Sequence, residues 1–227
     1  MKHIGIVVAV SREFKSFLED SSFKVEVLQI KNHEVYKTSI NSNEIFFIQS
    51  GWGEIDASSA TELLIAKFDC DYILNYGVVG ALTRDLKVNE LLVVKKVVHY
   101  DFDTSSIDQV KPGQYSDLID EYIPSSIELY ELAIKTNPKL KSVICASGDK
   151  FIDDKKFKKE LHTKFKADIC DMEVAGIYRT CFKSNIKALS IKCISDVYDG
   201  DGKDFAQNVE SSGKIAFDFL KDLLFKL

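Results

Sequence analysis

The amino-acid sequence predicts an α/β sandwich, because strand-like and helix-like segments alternate along the chain. The strand-like runs are short, rich in Val and Ile, and bounded by polar residues or glycine. Apolar residues in the segments between them return at three- and four-residue steps, which is the spacing of one buried helix face. Several runs are apolar throughout, so we expect helices to cover both faces of the sheet.

The elements are assigned in chain order from these two patterns. The first run, Ile4–Val10, ends in charged sequence without a small-residue cleavage site, so we expect a strand rather than a signal peptide or a membrane span. No repeat, linker or proline cluster interrupts the alternation, so residues 1–227 are expected to form one domain. The other strands are expected at Glu44–Gln49, Tyr72–Tyr76, Glu90–Val98, Ser142–Ala146 and Ala188–Ile194, and the helices at Glu13–Asp20, Ile55–Lys67, Ser126–Lys135, Lys155–Lys164, Glu173–Ser184 and Ser211–Phe225.

One segment, about residues 101–123, has no clear periodicity. A long ordered loop in a compact domain is usually a lid, an interface segment or partly disordered. We expect this one to form a mobile wall of the active site.

The composition excludes several classes of function. With 30 Lys and Arg residues against 35 Asp and Glu residues, the chain has no basic stripe that would bind a nucleic-acid backbone. The five cysteines are an odd number without C-x-x-C spacing and lie in or beside apolar runs, which indicates buried thiols in a reducing cytoplasm. The four histidines show no ligand spacing with one another or with the cysteines, so no metal is expected. No cofactor is expected either.

The residues that follow the apolar runs are candidates for a binding site, because ligands bind at the carboxyl ends of strands in parallel α/β sheets. Small residues and acids follow five of these runs. They are Ser11-Arg12-Glu13, Ser50-Gly51-Trp52-Gly53, Gly77-Val78-Val79-Gly80-Ala81, Ser147-Gly148-Asp149 and Ser195-Asp196. Each glycine-containing loop taken alone is most simply a strand-to-helix turn, and only their joint placement indicates a site.

Three acids, Glu13, Glu173 and Asp196, follow apolar stretches in which burial would raise a carboxyl pKa toward neutrality. Glu13 could equally be an acid favoured at a helix N-terminus, and Asp196 a helix cap or turn residue. A serine or cysteine nucleophile is not supported, because the chain has no G-x-S-x-G turn and no histidine follows a strand end where it could serve as the base. The lysine-rich run Lys155–Lys159 is expected to be a solvated helix face.

Several segments together resemble one enzyme superfamily. Asp171-Met172-Glu173-Val174-Ala175-Gly176-Ile177-Tyr178 resembles the E-M-E-A-x-G-[IV]-[YA] signature of nucleoside phosphorylases and of 5′-methylthioadenosine/S-adenosylhomocysteine nucleosidases. Ser147-Gly148-Asp149-Lys150-Phe151-Ile152 is similar to the S-G-D-x-F-I element of the nucleosidases, and Cys193-Ile194-Ser195-Asp196 to their A-I-S-D element. Gly77-Val78-Val79-Gly80-Ala81 and Leu86-Lys87-Val88 match their G-x-x-G-[GA] turn and L-K-V-G-D stretch. The resemblance runs from Met1 to the C-terminus and implies a three-layer α/β/α sandwich around a mixed, partly barrel-like sheet.

The resemblance also implies an activity, cleavage of the N-glycosidic bond of an adenine nucleoside through a ribosyl-cation-like transition state. Glu173 would accept hydrogen bonds from the ribose hydroxyls, and Met172 would pack against the sugar. Asp196 would act as general acid toward the purine N7, and Glu13 would activate the attacking water.

The remaining matches would shape the substrate site. Phe151 would stack on the base, the backbone at Ile152 would read its edge, and Trp52 would line the 5′ side of the sugar. Four further substrate-binding positions are expected at Val78, Val79, Gly80 and Ser195.

Hydrolysis is expected rather than phosphorolysis. Phosphorylases of the superfamily hold phosphate with arginines and with a serine in the G-x-x-G turn. This chain has Asn75 where hexameric phosphorylases carry a phosphate-binding arginine, and Val78 in place of the serine. Glu13 would repel a phosphate dianion but suits a water molecule.

Two departures from the nucleosidase pattern affect the water site. Nucleosidases usually carry Ser at the Val78 position and Arg at the Lys192 position, and both help to orient Glu13 and the water. Lys192 keeps the positive charge without the planar fork, and Arg12, beside Glu13, could supply the missing guanidinium. A purine nucleoside phosphorylase and a catalytically weak nucleoside-binding protein therefore remain as alternatives.

The expected partner is a small purine nucleoside such as 5′-methylthioadenosine or S-adenosylhomocysteine. Members of the family are usually dimers or larger, with a neighbour's residues closing the site. The resemblance therefore implies a cytoplasmic homo-oligomer, most simply a homodimer, that serves methionine salvage and nucleoside catabolism.

Overall fold

The structure is a computed structural model that describes residues 1–227. Ten strands and six helices follow one another along the chain. In order they are β1 (His3–Val8), α1 (Ser11–Leu18), β2 (Glu26–Ile30), β3 (His33–Ile40), β4 (Asn43–Gln49), α2 (Glu54–Phe68), β5 (Tyr72–Ala81), β6 (Leu91–His99), β7 (Ile123–Pro124), α3 (Ile127–Thr136), β8 (Lys141–Ser147), α4 (Lys155–Phe165), β9 (Ile169–Asp171), α5 (Val174–Ser184), β10 (Lys187–Asp196) and α6 (Gly202–Leu224).

All ten strands belong to one mixed sheet, and nine of them lie in the order β10-β6-β8-β9-β5-β1-β4-β3-β2, with β7 paired to β6. β5 also pairs with β10, so that β5, β10, β6, β8 and β9 close into a five-stranded barrel. β1 runs parallel to β4 and β5, whereas β2 and β3 form an antiparallel hairpin at the open edge. The prediction of a mixed, partly barrel-like sheet is confirmed.

Helices cover both faces of this sheet. α2 and α5 pack on one face, where Leu64 and Ile177 lie in one buried cluster. α1, α3 and α6 pack on the other, where Phe14, Leu129 and Phe217 lie in a second cluster. β5 and nearly all of β10 are buried, which is why both read as continuous apolar runs in the sequence. The three-layer α/β/α sandwich is confirmed.

The predicted elements are all present, and most of their bounds agree within two residues. β5 continues to Ala81 and β10 to Asp196, so the candidate residues at those positions lie inside strands rather than after them. α6 begins at Gly202 instead of Ser211. The side chain of Asp201 caps this helix by accepting a hydrogen bond from the amide of Lys203, which satisfies a donor that a helix start leaves free.

Four strands were not predicted from the sequence: β2, β3, β7 and β9. β2 mixes exposed and half-buried positions, and β3 mixes exposed, half-buried and buried ones, because one side of the edge hairpin faces solvent. β7 and β9 have only two and three residues, too few to show a periodicity.

None of the six helices combines the length and the apolar character that crossing a lipid bilayer requires. All five cysteines are buried and unpaired.

Candidate active site

A cavity lies at the carboxyl ends of β1, β5 and β10, three strands that run parallel and side by side. The loop after β4, the segment between β9 and α5, and the start of α6 close it. Four carboxylic acids line it, and no lysine or arginine does. The lining residues are Ala9, Val10, Glu13, Trp52, Val78, Val79, Gly80, Phe151, Cys170, Asp171, Met172, Glu173, Ser195, Asp196 and Phe205. The structure thus brings together Glu13, Glu173 and Asp196, which are far apart in the sequence.

Glu13 reaches the cavity from the first turn of α1 and is almost completely buried. Its Oε1 accepts a hydrogen bond from the amide of Val78 at 2.7 Å, and its Oε2 accepts one from the amide of Val10 at 3.2 Å. A Cβ at residue 77 would lie 2.6 Å from Oε1, so this approach requires Gly77. Burial raises the pKa of Glu13, and Lys192 together with the two amides opposes that rise.

Glu173 occupies the position just before α5, so its carboxyl group can turn back toward the loop after β4. Its Oε1 accepts a hydrogen bond from the amide of Gly53 at 3.1 Å. Gly53 has a φ of 92°, which a residue with a side chain rarely adopts. Burial and the neighbouring Asp171 carboxylate raise the pKa of Glu173 to about 8, while Lys192 acts in the opposite direction.

Lys192 lies behind the cavity wall rather than in it. Its Nζ is 2.9 Å from Oδ2 of Asp171, and both side chains are 3% exposed. Although burial opposes the charge, the carboxylates of Asp171, Glu173 and Glu13 raise the pKa of Lys192, so the ammonium keeps its proton. One buried cation therefore faces three carboxyl groups, which leaves this cluster able to hold an additional proton.

Asp196 ends β10 and is 2% exposed. Its Oδ1 accepts a hydrogen bond from the hydroxyl of Ser195 at 2.9 Å, and its Oδ2 lies 3.7 Å from Nζ of Lys158. Burial raises the pKa of Asp196, whereas the Ser195 hydroxyl and the Lys158 charge lower it. A protonated carboxyl group in this position is suited to donate a proton into the cavity.

A smaller pocket adjoins the main cavity beside Asp196. It shares Gly80, Phe151, Cys170, Asp171, Met172 and Asp196 with the main cavity and adds Lys150 and Ile152. The structure therefore brings Phe151 and Ile152 to the side of the cavity where the predicted proton donor lies.

Three aromatic rings lie at the opening of the cavity. Phe205, in the first turns of α6, has its ring centroid 5.9 Å from that of Trp52 and 5.7 Å from that of Phe151. Trp52 is 53% exposed and Phe151 is 38% exposed, so both rings have faces free to contact a ligand. The sequence-based prediction included Trp52 and Phe151 but missed Phe205, because it started the last helix too late.

Glu54 connects two parts of the site. It links the loop that contains Trp52 with α5, the helix that follows Glu173. Its carboxyl group accepts hydrogen bonds from the Ser147 hydroxyl at 2.5 Å and from the amide of Gly176. The amide of Glu54 donates to Oδ1 of Asp149 at 2.7 Å. The Ser147-Gly148-Asp149 segment thus holds the N-termini of α2 and α5 together and does not line the main cavity.

The three arginines all lie away from the cavity. Arg12 donates to the carbonyl of Ala206 at 2.6 Å and lies 3.5 Å from Glu210 on α6, with 43% of its side chain exposed. The expectation that Arg12 supplies a guanidinium beside Glu13 is therefore wrong, since α1 turns Arg12 outward when Glu13 points inward. Arg84 pairs with Asp199 and Arg179 with Asp117.

Two other expectations require correction. The segment between β6 and β7 contributes no residue to the cavity lining, so it does not wall the site of its own chain. It folds against α5 instead, where Asp117 pairs with Arg179 and Tyr115 stacks on Phe102. In the lysine-rich run, Lys158 is completely buried while Lys155, Lys156 and Lys159 are exposed. Its spacing to Leu161 and Phe165 on the apolar face of α4 is the signal that could have identified it.

Comparisons with known proteins relate the whole chain to one superfamily. A sequence model of the phosphorylase superfamily matches residues 3–225. A 5′-methylthioadenosine/S-adenosylhomocysteine nucleosidase of Staphylococcus saprophyticus is 31% identical over 202 residues, covering 87% of this chain and 88% of the relative. An aminodeoxyfutalosine nucleosidase of Helicobacter pylori is 31% identical over 232 residues, covering 100% of both chains.

Solved structures share the whole fold. The crystal structure of the Helicobacter pylori 5′-methylthioadenosine/S-adenosylhomocysteine nucleosidase, in complex with a pyrrolopyrimidine compound, superposes with a TM-score of 0.94 at 30% identity, covering 100% of this chain and 99% of that one. A mutant of that enzyme with 5′-methylthioadenosine in its active site has a TM-score of 0.94 at 29% identity, with 100% of both chains covered.

Proposed function

The chain belongs to the phosphorylase superfamily, and we propose that it is a nucleosidase that hydrolyses the N-glycosidic bond of adenine nucleosides of the 5′-methylthioadenosine and S-adenosylhomocysteine type. One observation carries the proposal. Glu13, Glu173 and Asp196 face a single cavity that no basic side chain lines.

Asp196 is the proposed general acid. When the bond between the sugar and N9 breaks, its electron pair moves onto the purine, and an adenine anion is a poor leaving group. A proton from Asp196 to N7 converts the leaving group into neutral adenine. The burial of Asp196, which favours its protonated form, supports this role.

Glu173 is the proposed stabiliser of the sugar as positive charge develops on it. An ionised carboxylate that accepts hydrogen bonds from the ribose hydroxyls interacts more strongly with a ribosyl cation than with the neutral substrate. Lys192, held by Asp171, lies behind Glu173 and Glu13 and favours their ionised forms. Met172, next to Glu173 in the cavity wall, would pack against the sugar.

Glu13 is the proposed base for the attacking water. Its oxygens each accept one backbone amide and retain a free lone pair for a water molecule. As the water oxygen bonds to C1′ of the sugar, one of its protons passes to Glu13. The products are free adenine and the sugar, and solvent returns Glu13 and Asp196 to their starting states.

The remaining proposed contacts to the substrate come from groups with no formal charge. Phe151 and Ile152 lie beside Asp196 and are the proposed contacts for the base, and Trp52 and Phe205 are the proposed wall on the 5′ side of the sugar. Val78, Val79, Gly80 and Ser195 complete the proposed substrate site.

Hydrolysis is favoured over phosphorolysis by the charge of the cavity. A phosphate dianion needs cationic donors, and an arginine fork is the strongest of these. Here four carboxylic acids line the cavity, and all three arginines form contacts elsewhere. Water carries no such requirement.

The proposal is tested by incubating the purified protein with 5′-methylthioadenosine, S-adenosylhomocysteine, aminodeoxyfutalosine, adenosine and inosine, with and without phosphate. We expect adenine release from at least one 5′-substituted adenine nucleoside at the same rate in both buffers. Strict dependence on phosphate would identify a phosphorylase. Adenine binding without turnover in either buffer would identify a nucleoside-binding protein.

We also propose a cellular role and an oligomeric state for the protein. A nucleosidase for these substrates would serve methionine salvage in the cytoplasm, as a homodimer whose partner closes the open side of the cavity near Trp52. Light scattering checks the assembly, since a dimer has twice the chain mass of 25.6 kDa. A monomeric mass at the concentration used for assays would reject it.

A further inference from the structure

Lys158 is a buried cation outside the cavity lining that nothing in the proposed mechanism uses. It lies on α4 with its side chain 0% exposed. Its Nζ donates hydrogen bonds to the carbonyl of Val197 at 3.1 Å and to the carbonyl of Gly200 at 3.5 Å. Asp196 is the single carboxylate within 4.0 Å of this ammonium, with its Oδ2 at 3.7 Å.

An ammonium group loses its hydration when it is buried, and that loss is costly unless a carboxylate and hydrogen-bond acceptors replace the water. Lys158 meets both requirements through groups at the end of β10 and in the loop that follows it. The two carbonyls fix the position of the ammonium, and the ammonium in turn fixes Oδ2 of Asp196.

We propose that Lys158 is a positioning residue for the proton donor: it holds Asp196 in place and stabilises the carboxylate that remains once the proton has moved to the departing base. This inference rests on the proposed hydrolysis of adenine nucleosides in the same cavity. Lys158 contacts neither substrate nor base, and it acts through Asp196 alone.

The surroundings of Asp196 leave Lys158 as the cation that faces it. Ser195, on the same strand, donates its hydroxyl, and Asp204 contributes negative charge from α6. The thiol of Cys170, on β9, lies beside Gly80. Across the cavity lie Glu13, Asp171 and Glu173, which are all acidic. Loss of the charge on Lys158 would leave only negative groups and neutral donors around Asp196.

This arrangement has a measurable effect on the pH dependence of turnover. A general acid works in its protonated form, so kcat falls as the pH rises through the pKa of Asp196. The Lys158 charge lowers that pKa, and its removal raises it. Since an opposite charge at this distance changes a carboxyl pKa by about 1–3 units, the alkaline limb of the kcat profile should move to higher pH by roughly that amount.

The test uses three variants of the full chain. Lys158→Gln keeps hydrogen-bond donors for the two carbonyls but removes the charge, and Lys158→Arg keeps the charge. Lys159→Gln removes the charge from an exposed neighbour on the same helix and serves as the matched control. Release of adenine gives kcat and KM across the pH range, and thermal unfolding verifies that each variant is folded.

We expect Lys158→Gln to move the alkaline limb upward and to lower kcat at neutral pH about tenfold, with a much smaller change in KM, because a weaker acid transfers its proton less readily. Lys158→Arg and Lys159→Gln should retain the wild-type limb. An unshifted limb in folded Lys158→Gln, with kcat reduced equally at every pH, would overturn the inference and leave the proposed function intact. A wild-type protein that releases no adenine at any pH would overturn both.

Discussion

Single residues in the cavity wall and directly behind it differ from the pattern of related enzymes in ways that have physical consequences. Lys192 stands where an arginine is usual, and it forms a short ion pair with Asp171, itself one carbon shorter than the glutamate of the family signature. Val78 contributes its amide rather than a hydroxyl to the hydrogen bonds of Glu13. The carboxylate of Glu13 is thus oriented by backbone groups, which side-chain substitution alters least.

Asp196→Asn should remove the general acid. An amide of the same shape occupies the position but cannot supply a proton to N7, so we expect kcat for adenine release to fall by roughly a hundredfold or more. The matched control is Asp218→Asn, which removes an exposed carboxylate on α6 that lies outside the cavity lining. Near-normal turnover in Asp196→Asn would reject the assignment.

Glu173→Gln should stabilise the protein in alkaline solution. The pKa of Glu173 rises from an ordinary 4.5 in the unfolded chain to about 8 in the folded protein. The protonated carboxyl group is therefore the form that the fold favours, and its stabilising effect is complete below the lower pKa and is lost by the time the pH has risen through the higher one. A glutamine never has to ionise, and we therefore expect the free energy of unfolding near pH 9 to increase by roughly 1–3 kcal/mol. Denaturant unfolding at about pH 9 and about pH 4 measures this, and an equal effect at both would contradict it.

At this scale, the sequence predicted those residues of the cavity that stand in a linear motif. Glu173 and Asp196 stand in short segments with recognisable neighbours, and Glu13 follows an apolar strand. The prediction was wrong where the direction of a side chain determines whether the residue reaches the site. Arg12 is adjacent to Glu13 in the chain but points to α6, and Lys158 sits among exposed lysines yet points inward.

At the scale of elements, the junction of α2 with α5 positions two parts of the cavity relative to each other. Gly53, directly before α2, donates to Glu173, directly before α5. Glu54 ties the same two helix starts together through Ser147 and Gly176. The site therefore depends on a contact that lies outside the cavity itself.

Glu54→Ala should weaken this junction. The hydroxyl of Ser147 and the amide of Gly176 would lose a buried acceptor, and we expect the free energy of unfolding to fall by about 2–4 kcal/mol. KM should rise, because the Trp52 loop and Glu173 would no longer be held in fixed positions relative to each other. Glu62→Ala on the exposed side of α2 is the control. Should Glu54→Ala show unchanged stability and KM, the junction has no such role.

Element boundaries were predictable where hydrophobic periodicity continues to the end of the element. The predicted bounds of α4 lie within one residue of its true ends. The prediction for α6 missed its first nine residues, including Phe205, because the start of this helix is polar. The extensions of β5 to Ala81 and of β10 to Asp196 were missed for a different reason. The glycines and the serine in these segments are typical of turns, although the segments pair as strands in the barrel.

At the scale of the whole molecule, the two ends of the chain pack together. β1 pairs with β5, β5 pairs with β10, and α6 lies beside α1, where Lys15 is 2.9 Å from Glu210 and Lys221 is 2.6 Å from Asp20. The alternation of elements predicted the layers, but it could not predict the closed barrel, because closure depends on the pairing of β5 with β10 across more than a hundred residues.

That residues 1–227 form one domain remains a prediction with a direct test. We expect thermal or denaturant unfolding to show one cooperative transition, with far-UV circular dichroism and tryptophan fluorescence from Trp52 coinciding. The probes are independent, since Trp52 is the only tryptophan and reports on the cavity. Two separated transitions would show that the cavity and the rest of the fold unfold as different units.

The central claim is that water, activated in the cavity that Glu13, Glu173 and Asp196 share, attacks the sugar of an adenine nucleoside. The most direct measurement is to run the reaction in ¹⁸O-labelled water with phosphate present and to analyse the products by mass spectrometry. The account predicts free adenine and a free sugar that carries one ¹⁸O atom at C1′. A sugar 1-phosphate without the label would contradict it.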